Sequence, residues 1–163
     1  METAEFKAMM KAHFSSTEPQ AQELGPLPVD CFGRTEFTYA ILFHQTQYAL
    51  ELLERYGEVN HKDYGGYSDL FFAAQSCEAE ALRELLARGA DAKSEGRELL
   101  CAAMYAAQTH SYDRAFEMVK LLLDAGADPD IRGGAIRPSA RQNAKYLAPG
   151  PIADYMQNWP KSE

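Results

Sequence analysis

The chain has 163 residues, with 24 acidic against 16 basic side chains. Its net charge of −8 disfavours direct binding to nucleic acid, which needs clustered lysine and arginine. The length suits one domain with a continuous core, and no run of about 18 apolar residues is present to span a membrane.

Residues 2–14 are expected to form an amphipathic helix, with Phe6, Met9, Met10 and Phe14 on one face that shields the first helices of the main domain. The N-terminus lacks a basic region followed by an apolar stretch, unlike a secretory signal. Residues 15–28, with Pro19, Pro26 and Pro28, read as a linker. Residues 1–28 are therefore expected to be helix and linker, and 29–163 the main domain.

Three later segments end alike: Leu52-Leu53-Glu54-Arg55-Tyr56-Gly57, Leu85-Leu86-Ala87-Arg88-Gly89-Ala90-Asp91 and Leu122-Leu123-Asp124-Ala125-Gly126-Ala127-Asp128. In each, leucines on a core face precede a glycine that can take the left-handed conformation after the helix. Their starts also align. Gly33 and Ala40, Gly66 and Ala73, and Gly96 and Ala103 share one spacing. Thr35 and Ser68, two residues after the first two glycines, are placed to cap a helix. The third unit has extra residues near Gln108–Arg114, read as a longer first helix or an enlarged loop between its helices. Its second helix is expected from about Asp113, with Phe116, Val119, Leu122 and Leu123 facing the core. A degenerate fourth unit comes after Gly133-Gly134, is broken at Pro149-Gly150-Pro151, and ends on a helix over 152–156. Trp159 is expected to pack this cap.

These motifs resemble the ankyrin repeat, whose pattern is Gly-x-Thr-Pro-Leu-His-x-Ala-Ala and then Leu-Leu-x-x-Gly-Ala-Asp. The resemblance covers about residues 30–156. It implies an all-α fold: an ankyrin-repeat solenoid of about three and a half repeats, with an N-terminal helix and an irregular C-terminal cap. The pattern's proline is replaced by Glu36, Asp69 and Leu99, and its histidine by Thr38, Phe71 and Cys101. The usual Thr–His hydrogen-bond network is therefore expected to be missing.

No catalytic pattern stands out. His13, His44, His61 and His110 have no zinc spacing, and neither a Gly-x-Ser-x-Gly elbow nor a Walker loop occurs. Gly65-Gly66 and Gly133-Gly134 read as turns rather than phosphate cradles, and Glu78 and Glu80 as a solvent-facing acidic pair. Cys31, Cys77 and Cys101 are odd in number and widely spaced, which fits reduced thiols in a cytoplasmic setting. No catalytic residue, metal or cofactor is assigned.

The resemblance implies a partner-binding surface made of turn tips and first helices. It places Phe32 and Arg34 there from the first repeat. From the second come Tyr64, Gly65, Tyr67, Gln75 and Ser76, with Asp63 and Asp69 beside the tip as contacts for a basic partner. From the third come Ser94, Glu95, Arg97 and Tyr105, and His110 and Tyr112 are a second choice on the extra segment. His44 and Gln45 either join this surface or close the first inter-helix turn. Residues 51–98 hold eleven acidic against six basic side chains, a balance that favours a basic partner by steering. Short acidic chains of this type resemble bacterial ones, some similar to antidotes paired with toxins. The expected function is a stoichiometric inhibitor or immunity-type protein that occludes another protein, such as a basic toxin or enzyme. The alternatives are a general adaptor, and an enzyme or small-ligand-binding protein.

Overall fold

A computed structural model describes residues 1–16 and 27–160; most of the stretch read as a linker lies outside them. The apolar periodicity of each repeat resolves into a helix pair. α1 (Thr3–Ser16) precedes four pairs: α2 (Glu36–Leu42) with α3 (Thr46–Tyr56), α4 (Asp69–Gln75) with α5 (Ala79–Ala87), α6 (Gly96–Thr109) with α7 (Tyr112–Asp124), and α8 (Ala140–Leu147) with α9 (Pro151–Asn158). The first helices α2, α4, α6 and α8 pack side by side, and the second helices α3, α5, α7 and α9 form the layer behind them. This is the solenoid that the resemblance implies, with a complete though short fourth pair.

The capping chemistry is local. Thr35 and Ser68 accept the amides of Thr38 (3.2 Å) and Phe71 (3.1 Å), and Ser111 and Ser139 cap α7 and α8 in the same way. Gly57, Gly89 and Gly126 all have φ between 70° and 93°, where other residues are strained. Leu53, Leu85 and Leu122 are buried one turn before them, each stabilising the fold by roughly 2 kcal/mol through lost apolar exposure.

α1 packs on the apolar end of the first repeat. Phe6 and Met10 are buried and Phe14 is half-buried, but Met9 is exposed, because positions 6, 10 and 14 form the i, i+4 row against the first repeat and position 9 falls at its outer edge. The Phe6 ring meets Phe43 and Tyr48, and Phe14 meets Tyr39. Tyr39 holds the register that Phe72 holds in the next repeat, where Arg34 of the preceding repeat covers it. A solenoid end needs such a cover to keep its apolar face from water.

The extra residues of the third repeat lengthen its first helix. α6 has 14 residues where α2 and α4 have seven. It gains about a turn at each end, and only His110 and Ser111 separate it from α7. The enlarged loop is therefore absent. The start of α6 replaces the Gly-turn tip of the other repeats.

Candidate partner-binding groove

The first two turn tips are built by one device. Oδ1 of Asp30 accepts the amides of Phe32 (2.9 Å) and Arg34 (3.0 Å), and Oδ1 of Asp63 accepts those of Gly65 (2.9 Å) and Tyr67 (3.1 Å). The tips then join. The Tyr64 amide donates to the Phe32 carbonyl, and Nε of Arg34 donates to Oδ2 of Asp63 at 3.4 Å. Gly33 lies in the left-handed region, and a Cβ there would fall 2.6–2.9 Å from Tyr64. Asp63 is thus a buried turn-builder rather than a surface contact, and Arg34 is spent on it. Burial pushes the Asp30 carboxyl up. Hydrogen bonds from Tyr39, the Arg34 amide, His13 and the Phe32 amide outweigh this and hold it below the ordinary carboxylate value.

Asp69 is also removed from the surface. It is the first residue of α4, only 2% exposed, and its Oδ1 accepts the Thr38 hydroxyl at 2.6 Å. Thr38 stands where the family pattern has histidine, and its own oxygen lies 3.1 Å from that of Thr35. Since the Thr38 proton goes to Asp69, Thr35 donates to Thr38. A buried Thr–Thr–Asp chain therefore replaces the Thr–His network across the first two repeats. Burial pushes the Asp69 pKa up to about 6, against the lowering effects of Thr38 and His61.

Other expected contacts have structural partners too. Oε2 of Glu95 accepts the amide (3.3 Å) and hydroxyl (2.9 Å) of Ser68, and its Oε1 lies 2.5 Å from Nζ of Lys62. Nε of Arg97 donates to the Pro138 carbonyl at 2.9 Å, and its Nη1 donates to Glu98 at 3.1 Å. The Tyr112 hydroxyl donates to Pro149 O (3.1 Å) and accepts from the Ile152 amide (3.0 Å), tying α7 to the start of α9. Ser76 is buried, and so is Glu78, despite the expectation that it faces solvent. His44 and Gln45 close the first inter-helix turn. Gln45 also bonds Thr3 and the Met1 carbonyl of the N-terminal segment. His110 ends α6 and is exposed.

What stays exposed converges on the first-helix layer. A groove of about 310 Å³ runs between α4, α6 and α8. Tyr67, Phe71 and Gln75 form one wall, Arg97, Glu98, Cys101, Ala102 and Tyr105 the opposite wall, and Leu147 one end. Tyr67 stacks on Phe71 with ring centroids 4.6 Å apart. Tyr67, Gln75, Arg97 and Tyr105 were expected on this surface. Phe71, Cys101 and Leu147 were not. Phe71 and Cys101 occupy the register of the pattern's histidine, so the loss of that histidine was itself the sign of an apolar lining. Tyr64 and Phe32 remain exposed on the adjoining tips. The groove's carboxylate, Glu98, is paired with Arg97, whereas Glu51, Glu54 and Glu80 are exposed on α3 and α5 behind it.

Residues 99–134 match the family model of the ankyrin repeat. A solved ankyrin repeat domain from Acinetobacter baumannii AYE matches this fold with a TM-score of 0.65, covering 93% of this chain and 72% of that one at 19% identity. The chain carries an ankyrin repeat over residues 99–134, and its fold is that of an ankyrin-repeat domain. Among curated proteins, the "Ankyrin repeat, SAM and basic leucine zipper domain-containing protein 1" of Oryctolagus cuniculus is 29% identical over 113 residues. That match takes in 69% of this chain and 24% of the rabbit protein, so the chain spans about a quarter of the relative's length. Ankyrin repeats generally mediate protein–protein interaction, and their fold is generally a non-enzymatic scaffold. Among the described residues, no helix is long and apolar enough to cross a membrane.

The three thiols of the chain differ in access. Cys31 is exposed, Cys77 is buried and Cys101 is half-buried in the groove wall. Burial pushes the thiol pKa of Cys77 and Cys101 up, against smaller lowering contacts from the Ser111 backbone and the Asn143 side chain. Thiolate is the reactive form. A chromogenic disulfide reagent will therefore titrate Cys31 at once in the folded protein, and Cys77 only on unfolding. Prompt loss of all three thiols would contradict the burial of Cys77.

Proposed function

We propose that the chain is a stoichiometric inhibitor of the immunity type, which grips one partner protein across the first-helix layer and occludes its active site. The groove between α4, α6 and α8 carries this reading. It offers aromatic anchors, Tyr67, Phe71 and Tyr105, in an open groove between α4 and α6, with Leu147 of α8 at one end. Aromatic side chains in such pockets supply a disproportionate share of binding energy. The linked tips beside it lose little entropy on binding. The net charge of −8 speeds capture of a basic toxin or enzyme, and three unpaired thiols suit a cytoplasmic encounter.

The test begins with capture of partners from cells by the full chain, and then assay of the captured protein's activity. Abolition of that activity at one-to-one ratio supports inhibition, and a partner left fully active supports the adaptor reading. The rabbit relative's name, which adds SAM and basic leucine zipper domains, favours the adaptor as the second reading. In either case, Tyr67→Ala combined with Tyr105→Ala is expected to weaken the complex by about 100-fold or more. Tyr105 is half exposed and Tyr67 loses only its stacking on Phe71, so the unfolding temperature should fall only slightly. Unchanged affinity would place the contact elsewhere.

A further inference from the structure

The inter-helix turns carry a second constellation, on residues outside the groove. His44 sits in the left-handed region at φ 55°, a conformation that non-glycine residues rarely adopt. Its ring is fixed. Nδ1 lies 2.7 Å from Oε1 of Glu78, a side chain 8% exposed whose Oε2 accepts the Thr46 hydroxyl at 2.6 Å. The carboxylate thus holds the proton on Nδ1 and leaves the lone pair on Nε2.

His110 reaches the same place because α6 is a turn longer at its C-terminal end. The ring centroids of His44 and His110 lie 5.8 Å apart, at an interplanar angle of 55°. His110 has a local partner for the same tautomer. When the Thr109 hydroxyl donates to the Tyr105 carbonyl, its oxygen, 2.8 Å from Nδ1 of His110, accepts the Nδ1 proton and leaves Nε2 with its lone pair. Nε2 of neither ring has a hydrogen-bond partner among the described residues.

Two imidazoles that share one tetrahedral ion through bonds of about 2.0–2.1 Å put their centroids roughly 5–6 Å apart. A carboxylate behind a histidine is also the usual outer support of a metal ligand. We propose that His44 and His110 bind one zinc-class divalent cation through Nε2, with the remaining coordination positions open to water. Glu78 is a positioning residue. Among the described residues, no group of three or more His, Cys, Asp or Glu side chains forms a ligand set. The protein therefore supplies two ligands, and binding is of modest strength.

Zinc chloride titrated into the full chain is monitored by calorimetry and by the ¹⁵N signals of the imidazoles. The expected result is one saturable ion per chain, with Nε2 shifts at His44 and His110. His13 and His61, whose Nε2 atoms lie against Asp30 and the Gly33 carbonyl, should stay in place. His44→Asn, which tolerates the left-handed backbone, and His110→Gln should each weaken binding at least roughly tenfold. Their unfolding temperatures without zinc show whether each variant is folded. Cys31→Ser, which removes the exposed thiol, should leave the binding intact. The proposal is overturned by no saturable uptake at about 1 mM zinc, by binding that survives either histidine change, or by binding that disappears with Cys31.

Discussion

Arg141→Met will cost the fold about 3 to 4 kcal/mol, with the loss concentrated in the last helix pair. The guanidinium is buried. Its Nε and Nη2 make a bidentate pair with Asp130, at 2.7 and 2.9 Å. Its remaining protons go to the carbonyls of Met156, Gln157, Trp159 and Pro160. The C-terminal carbonyls of a helix have no partners of their own, so one arginine on α8 closes the end of α9. Methionine fills similar volume but leaves the buried Met156 carbonyl and the Asp130 carboxylate without their charged partner. Arg141→Lys should recover little, because an ammonium cannot reproduce the planar fork. Urea unfolding measures the loss. Hydrogen exchange of residues 150–160 should rise in the variant while that of α4 and α5 holds. Stability within about 0.5 kcal/mol of the parent would show that the cap is held by other contacts.

Asp69→Asn is expected to raise the unfolding temperature at pH 7.5 by roughly 5–10 °C. Burial raises the pKa of Asp69 in the folded chain from 3.8 to about 6, so the folded state binds its proton more tightly than the unfolded state does. The stability tied to that proton is fully present below 3.8 and is lost as pH rises through 6. At pH 7.5 the charged carboxylate costs about 2 to 3 kcal/mol. Asparagine avoids that cost and still accepts the Thr38 hydroxyl. The advantage should shrink below pH 6 and vanish near pH 4, which paired thermal melts of the two proteins would track. An advantage independent of pH would trace the gain to packing instead. Asp30 runs the opposite way: its lowered pKa adds stability above 3.8 that is lost in stronger acid, so the parent's own pH profile mixes the two.

The helices and their ends were legible along the chain. Leu-Leu-x-x-Gly endings, the hydroxyls of Thr35 and Ser68, and the seven-residue spacing from glycine to alanine act within one or two turns of backbone, where side-chain identity and local geometry suffice. The place of α1 was legible too, except at Met9. Its neighbours Phe6 and Met10 already make a stripe, and a third residue one step off that stripe faces water.

The site was only partly legible. Carrying the family's exposed positions onto Tyr67, Gln75, Arg97 and Tyr105 assembled residues that do line one groove. The same step failed at Asp63, Asp69 and Glu95, because an acidic side chain near a tip reads alike whether it meets a partner or a neighbouring repeat. By itself the sequence determined the repeat, its helices and their caps, which depend on neighbours a few residues away. Only the tertiary structure decided that Thr38 meets Asp69 across 31 residues, that His44 meets Glu78 across 34, and that the lengthened α6 carries His110 to His44. Stacking brings those groups together, and burial then sets their charge.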